Sequence, residues 1–250
     1  MIILPFSIYD NYFRNSADFL LLCKLIHIYS FMRLLLIWIL LIGNPGLLLT
    51  VTDFVASLPQ KENHQEYITY QNKIIPLKIY GPVKKALDFF PELQDIHISF
   101  ELKDKITGSV MQAQPKVFSL FVDAREKRKY RIKITKELDF GNKIVPIEDI
   151  PHDALVGWIG HELGHIMDYL NRSSVNMMHF GAKYLLSKQK VVDAELTADG
   201  YAISCGMGYQ ILANKNYILN NEGFEEEYKN KIRNLYMSPE QILSLMEDID

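Results

Sequence analysis

Between residues 151 and 170, apolar side chains at Leu155, Trp158, Ile159, Leu163, Ile166 and Leu170 recur at helical spacing, and His161-Glu162-Leu163-Gly164-His165 sits in the middle of that run. The pattern predicts an amphipathic helix. Pro151 suits its start, because a fixed φ and a missing N–H cost nothing in a first turn. At about 3.6 residues per turn, positions four apart share a face, so the imidazoles of His161 and His165 converge on one point. Both can ligate one metal ion. Glu162 stands on the flank of that face, placed to take a proton from metal-activated water without being a ligand itself. A helix packed on the core would hold all three groups rigidly, as a metal site requires. The competing reading is an ordinary helix on which these three residues form a solvated face.

Two histidines leave a hydrolytic zinc site incomplete, since such sites take three protein ligands and keep the fourth position for water. Extending the motif along the same helix, in the metzincin manner, would need Gly at Asp168 and His at Asn171, and the chain has neither. The better source is Val192-Asp193-Ala194-Glu195-Leu196-Thr197-Ala198-Asp199. Glu195 and Asp199 lie four apart on a second expected helix, one carboxylate for the metal and one for the outer shell. A ligating imidazole commonly donates its other N–H to such a carboxylate, and Asp199 can fill that role. The alternative here is an acidic solvated face.

With both segments in hand, the chain resembles the gluzincin type of zinc metallopeptidase: His161 to His165 matches its HExxH helix, and Glu195-Leu196-Thr197-Ala198-Asp199 matches its glutamate helix in the E-x-x-A-D form. The resemblance covers roughly residues 151–208. It implies that His161, His165 and Glu195 bind Zn2+, that Glu162 is the general base, and that Asp199 orients a ligand histidine. It implies an α+β, zincin-like domain over residues 58–250, in which a small antiparallel sheet packs on the HExxH helix and helices fill the C-terminal half. The expected function is zinc-dependent hydrolysis of peptide bonds, with a peptide or protein as partner. The alternative is a catalytically inactive zinc-binding regulatory or interaction protein; Glu162 speaks against it, because a purely structural zinc site has no use for a base. His179, Tyr201, Tyr209 and Tyr236 are the candidates, by type, for stabilising an oxyanion.

Residues 1–57 have another character. Leu34 to Ile42 is an unbroken apolar run, preceded by Lys24 and Arg33 and followed by Gly43-Asn44-Pro45-Gly46, a targeting pattern. No cation follows it until Lys61, which predicts export of everything downstream. Val55-Ala56-Ser57 would serve as a cleavage site, whereas continuation to Val51 would make residues 34–51 a membrane anchor. Met32-Arg33 reads as a natural start of such a segment, with residues 1–31 as an upstream extension. Leu22 occupies the place where a lipobox needs a small residue, so lipidation at Cys23 is excluded. Export places the domain in the periplasm or outside the cell.

The 250 residues carry 27 Lys and Arg against 30 Asp and Glu, which gives no basic footprint for nucleic acid. Cys23 and Cys205 form no disulfide framework. From 60 to 149, Val83 to Phe90 suits a short helix, and Ile96–Leu102, Val117–Val122 and Tyr130–Ile134 alternate as strands of the expected antiparallel sheet. The basic run Arg125 to Lys129 is expected at a solvated hairpin tip. Farther on, Gly206 and Gly208 are expected breaks in an apolar helical stretch, and Ser238-Pro239-Glu240 opens a last helix.

Overall fold

Two segments of alternating apolar residues, Ile96–Leu102 and Tyr130–Ile134, pair in the interior of a five-stranded sheet. In a computed structural model of the chain, which describes residues 66–174, 176, 177, 180 and 187–248, this sheet comprises β1 (Tyr67–Tyr70), β2 (Lys73–Pro76), β3 (His97–Lys103), β4 (Met111–Pro115) and β5 (Lys129–Thr135). Their spatial order is β1-β2-β3-β5-β4. The targeting run, the cleavage site, Cys23 and the boundary at 57/58 lie outside the described residues. Among those residues, no helix is long and apolar enough to cross a membrane.

The sheet is mixed, which corrects the antiparallel expectation. β2 with β3 and β3 with β5 are parallel, while β1 with β2 and β4 with β5 are antiparallel. The reason lies in the connections. Helix α1 (Tyr80–Leu87) carries the chain from the end of β2 back to the start of β3, and a crossover of that kind makes neighbours parallel. Between β3 and β5 the chain runs out along the edge as β4 and returns through α2 (Val117–Val122).

Helix α2 is a second correction, because Val117–Val122 was expected as a strand. Pro115 has no N–H to extend the edge, and after it the chain turns into a helix in which Leu120 N bonds Lys116 O. Its Val117, Phe118 and Val122 are exposed, so the apolar run there marked no core. The basic run 125–129 is likewise no hairpin tip: it joins α2 to β5, and Arg128 is buried, donating to Arg172 O at 2.7 Å and Ser174 Oγ at 2.9 Å.

A short hairpin, β6 (Glu137–Asp139) and β7 (Ile144–Pro146), leads into α3 (His152–Leu170). Then come α4 (Lys188–Ala202), α5 (Gly208–Asn220), α6 (Glu226–Leu235) and α7 (Pro239–Glu247), so the half after residue 150 is helical as expected. A π-helical turn with Gly206 at φ +90° joins α4 to α5, a conformation that glycine adopts without strain. Ser238 and Gln241 form a capping box at the start of α7.

One face of the sheet carries Ile98, Phe100, Tyr130, Ile132 and Ile134, all buried together with Leu155, Ile159, Leu163 and Ile166 of α3. Burying each such aliphatic or aromatic side chain contributes about 1.5–3 kcal/mol. Helix α3 is therefore central: from Ala154 to Ile166 every residue is buried. That exceeds the one-sided burial expected of an amphipathic helix, since α1, α4, α5 and the sheet surround it.

Candidate metal centre

The helices approach α3 so closely because glycines recur along it. At Gly157, Gly160 and Gly164, an added Cβ would overlap the Gln210 carbonyl of α5, the Met207 side chain and the Ala198 carbonyl of α4, respectively. The last contact matters most for the site. Ala198 sits one turn beyond Glu195, so bringing α4 against Gly164 drives the Glu195 carboxylate between the two histidines of α3.

Glu195 Oε2 lies 3.0 Å from His161 Nε2 and 3.3 Å from His165 Nε2. The three ligand atoms of His161, His165 and Glu195 fall within 4.8 Å of one another, in a buried group able to hold a metal ion. Around a tetrahedral ion with bonds of about 2.0–2.2 Å, neighbouring ligand atoms stand about 3.3–3.6 Å apart. The distances from Glu195 to the two histidines lie close to that spacing, so in donor type and placement the residues present fit such an ion.

Asp199 supports this group from behind. Its Oδ1 meets His161 Nδ1 at 2.8 Å and accepts from Lys215 Nζ at 3.1 Å, and its Oδ2 accepts from Met237 N at 3.1 Å. His161 Nδ1 is thereby pinned, leaving Nε2 to point at the centre. His165 Nδ1 is buried with no hydrogen-bond partner among the described residues, and its ring stacks on Tyr169. Asp199 thus orients one histidine only.

Electrostatics follow from burial and pairing. Burial opposes charge on the His161 imidazole, but the Asp199 carboxylate and the Glu195 hydrogen bond outweigh it and raise its pKa to about 9. Burial likewise pushes the Glu195 carboxyl up, yet hydrogen bonds from both histidines hold it far below the usual carboxylate range. For Asp199, Lys215 and His161 overcome the same penalty and keep its carboxyl low. Glu162 goes the other way: burial dominates and raises its pKa, against the pull of His165 and His161. Two carboxylates that line one cleft, Glu162 and Glu195, are so shifted in opposite directions.

Glu162 is not among the three convergent groups. Its Oε2 accepts from Ala113 N of β4 at 2.5 Å. Thr135 N bonds Val110 O and Lys116 N bonds Lys129 O, so by the antiparallel alternation Gln112 and Gln114 bond to β5 while Met111 and Ala113 turn their backbone groups to the free edge. Of the two edge strands, β1 and β4, it is β4 that stands at the site, and it forms one wall of a cleft of about 740 Å³. Glu162, His165 and Glu195 open into that cleft beside Leu120, Tyr169, Met177 and Phe180.

Of the four oxyanion candidates, the structure brings one to the site. Tyr236 lines the cleft, with its ring 5.2 Å from that of His161 and 4.2 Å from Lys215 Nζ. Its hydroxyl is pushed well above the usual range by burial and then by the Glu195 charge. Tyr201 accepts instead from Asn171 Nδ2, Tyr209 is exposed on α5, and His179 lies outside the described residues. Sequence reasoning missed Lys215, Tyr228 and Ala113. A lone lysine in the apolar stretch from Ile211 to Ile218 was a readable signal for the first. For Tyr228, whose hydroxyl is raised by burial and by the Glu162 and Glu195 charges, there was none.

No protein-family model, curated protein or solved structure matches this chain in comparison with known proteins.

Proposed function

We propose that this protein is a zinc-dependent peptidase. The observation that carries the reading is the separation of roles at the end of the cleft: His161, His165 and Glu195 converge on one point, while Glu162, with a raised proton affinity, stands beside them and outside their set. Zinc held there would act as a Lewis acid, easing deprotonation of water and polarising a carbonyl. Two histidines and a carboxylate, with a carboxylate on the outer side of one histidine, are the donors that a hydrolytic zinc site uses.

The chain's own groups account for the remaining steps. An extended peptide adds to the edge of β4, taking over the outward backbone groups of Met111 and Ala113, of which Met111 O accepts from Ser109 Oγ and Ala113 N donates to Glu162 in its absence. Glu162 takes a proton as the water oxygen bonds to the carbonyl carbon, and delivers it to the amine nitrogen as the C–N bond breaks. Tyr236 is the group placed to donate to the carbonyl oxygen as negative charge develops there. Asp199, itself held by Lys215 and the Met237 N–H, keeps His161 in the tautomer that leaves Nε2 free.

The test is the metal content of the purified protein beside a Glu195→Ala variant, followed by incubation with a peptide mixture. About one zinc per chain, lost with Glu195, together with cleaved peptides, is the expected result. Zinc retained equally by the variant would remove Glu195 from the site, and zinc without cleavage would leave a binding protein.

A further inference from the structure

Among the described residues, the sheet face opposite the one that packs on α3 is polar and bears a row of cations. Register places His97, Lys129 and Lys116 on one rung across β3, β5 and β4, then Ser99, Arg131 and Gln114, then Glu101, Lys133 and Gln112. Four of these nine residues are Lys or Arg and one is a carboxylate, Glu101, which Lys103 pairs at 2.8 Å. The surroundings respond to that imbalance. Burial and then Lys116 and Lys129 lower the His97 imidazole, while Lys103, Arg131 and Lys116 overcome burial and lower the Glu101 carboxyl. A net charge of −3 for the whole chain conceals this positive face.

The face continues into the cleft. Arg131 lines the cleft and donates to Gln114 Oε1 at 3.2 Å, so its side chain leans across β4 toward the free edge. A neighbouring hollow of about 420 Å³, lined by Lys103, Lys105 and Lys133, shares Thr107 and Gln112 with it. Apart from Glu162 and Glu195 of the centre, the charged side chains lining the cleft among the described residues are Arg131 and Lys231. Same-face residues of a strand recur about every 6.6–6.8 Å, so Lys129, Arg131 and Lys133 repeat at the spacing of alternate residues in a peptide strand.

We infer that the substrate is an acidic polypeptide, bound as an added strand on β4 with Asp or Glu at alternate positions turned to the open sheet face, where Arg131 and Lys133 receive them. The inference rests on the peptidase reading for the strand's place beside the metal centre. Continuity with the cleft and the strand repeat favour a polypeptide over a nucleic acid or an anionic membrane, either of which would engage the cations without regard to the cleft. Such pairs, partly exposed, give specificity and capture more than raw affinity.

The experiment uses the full zinc-loaded chain and fluorescein-labelled peptides of one sequence that differ only in carrying Glu, Gln or Lys at two alternate positions. Binding is read by anisotropy and turnover separately by mass spectrometry, for the wild type and for Arg131→Glu with Lys133→Glu. The Glu peptide should bind more tightly than the Gln peptide, by up to about fivefold per acidic residue, with the gap closing as salt rises. The double variant, verified by its zinc content, should prefer the Lys peptide. Equal binding of the three peptides, or a double variant that keeps the wild-type preference, would overturn the inference. Charge-selective binding without cleavage would instead count against the peptidase reading and leave the acidic preference standing. Tighter binding of single-stranded DNA or anionic vesicles than of the Glu peptide would also overturn it.

Discussion

The two walls of the cleft are built on opposite principles. On the helical wall, α3 and α4 touch through glycine, and two carboxylates of the centre are buried with matched partners: Glu195 with two histidines, Asp199 with His161 and Lys215. On the sheet wall, β4 turns an edge of backbone groups outward and presents the exposed Gln112 and half-buried Gln114, with Arg131 of β5 reaching across. Chemistry needs fixed positions, which dense packing supplies. Recognition of an extended chain needs hydrogen-bonding groups still able to take a partner, and an edge strand supplies those. The walls meet at one bond, Ala113 N to Glu162 Oε2.

If the walls divide the work in this way, changes on the helical side should abolish activity and changes on the sheet side should only weaken capture. The largest effect is expected for Glu162→Gln. Turnover should fall by about a hundredfold to ten-thousandfold with zinc content unchanged, read by steady-state kinetics and elemental analysis. Retained turnover in the zinc-loaded variant would show that the helical wall does not hold the base.

Gly164→Ala comes next. Its Cβ would meet the Ala198 carbonyl, so α4 must move away and carry Glu195 with it. Overpacking of this kind costs roughly 1–3 kcal/mol, and zinc affinity should fall alongside stability. Thermal unfolding and a zinc titration measure both, and unchanged affinity would mean that helix spacing does not set the ligand geometry.

The smallest effect belongs to Ala113→Pro. Proline is tolerated on an edge strand where the N–H faces away from the ladder, so β4 should keep its pairing with β5 while the Glu162 carboxylate shifts away from the proline ring. The variant loses a contact for the peptide and also the donor to Glu162 Oε2, so KM should rise by about twofold to tenfold, in line with a net hydrogen bond of about 0.5–1.5 kcal/mol, and the pH profile of turnover should shift, while zinc binding is kept. A loss of zinc in this variant would break the comparison, because the sheet wall would then be part of the metal site.

The same contrast separates what was legible in the sequence from what was not. Helix α3 and helix α4 were readable because their groups act at four-residue spacing, which the helix alone turns into proximity on one face. Helix α7 was readable from Ser238-Pro239-Glu240 at its start and the break at Gly206 from glycine itself. The sheet was not. Val117–Val122 has the apolar composition of a strand yet forms an exposed helix after Pro115, and the parallel pairing of β3 with β5 depends on where the chain passes between them. β4, with only Met111 and Ala113 turned inward among glutamines, carries too weak an alternation to announce itself.

From its sequence alone, this chain determined which residues could meet a metal ion and on which two helices, because helical periodicity is local and turns spacing into direction. Only the tertiary structure decided that those helices touch, through Gly164 and Ala198, and that β4 rather than another strand forms the facing wall. Strand order and helix contact arise from pairings between residues far apart in the chain, and no local pattern encodes which partner each will find.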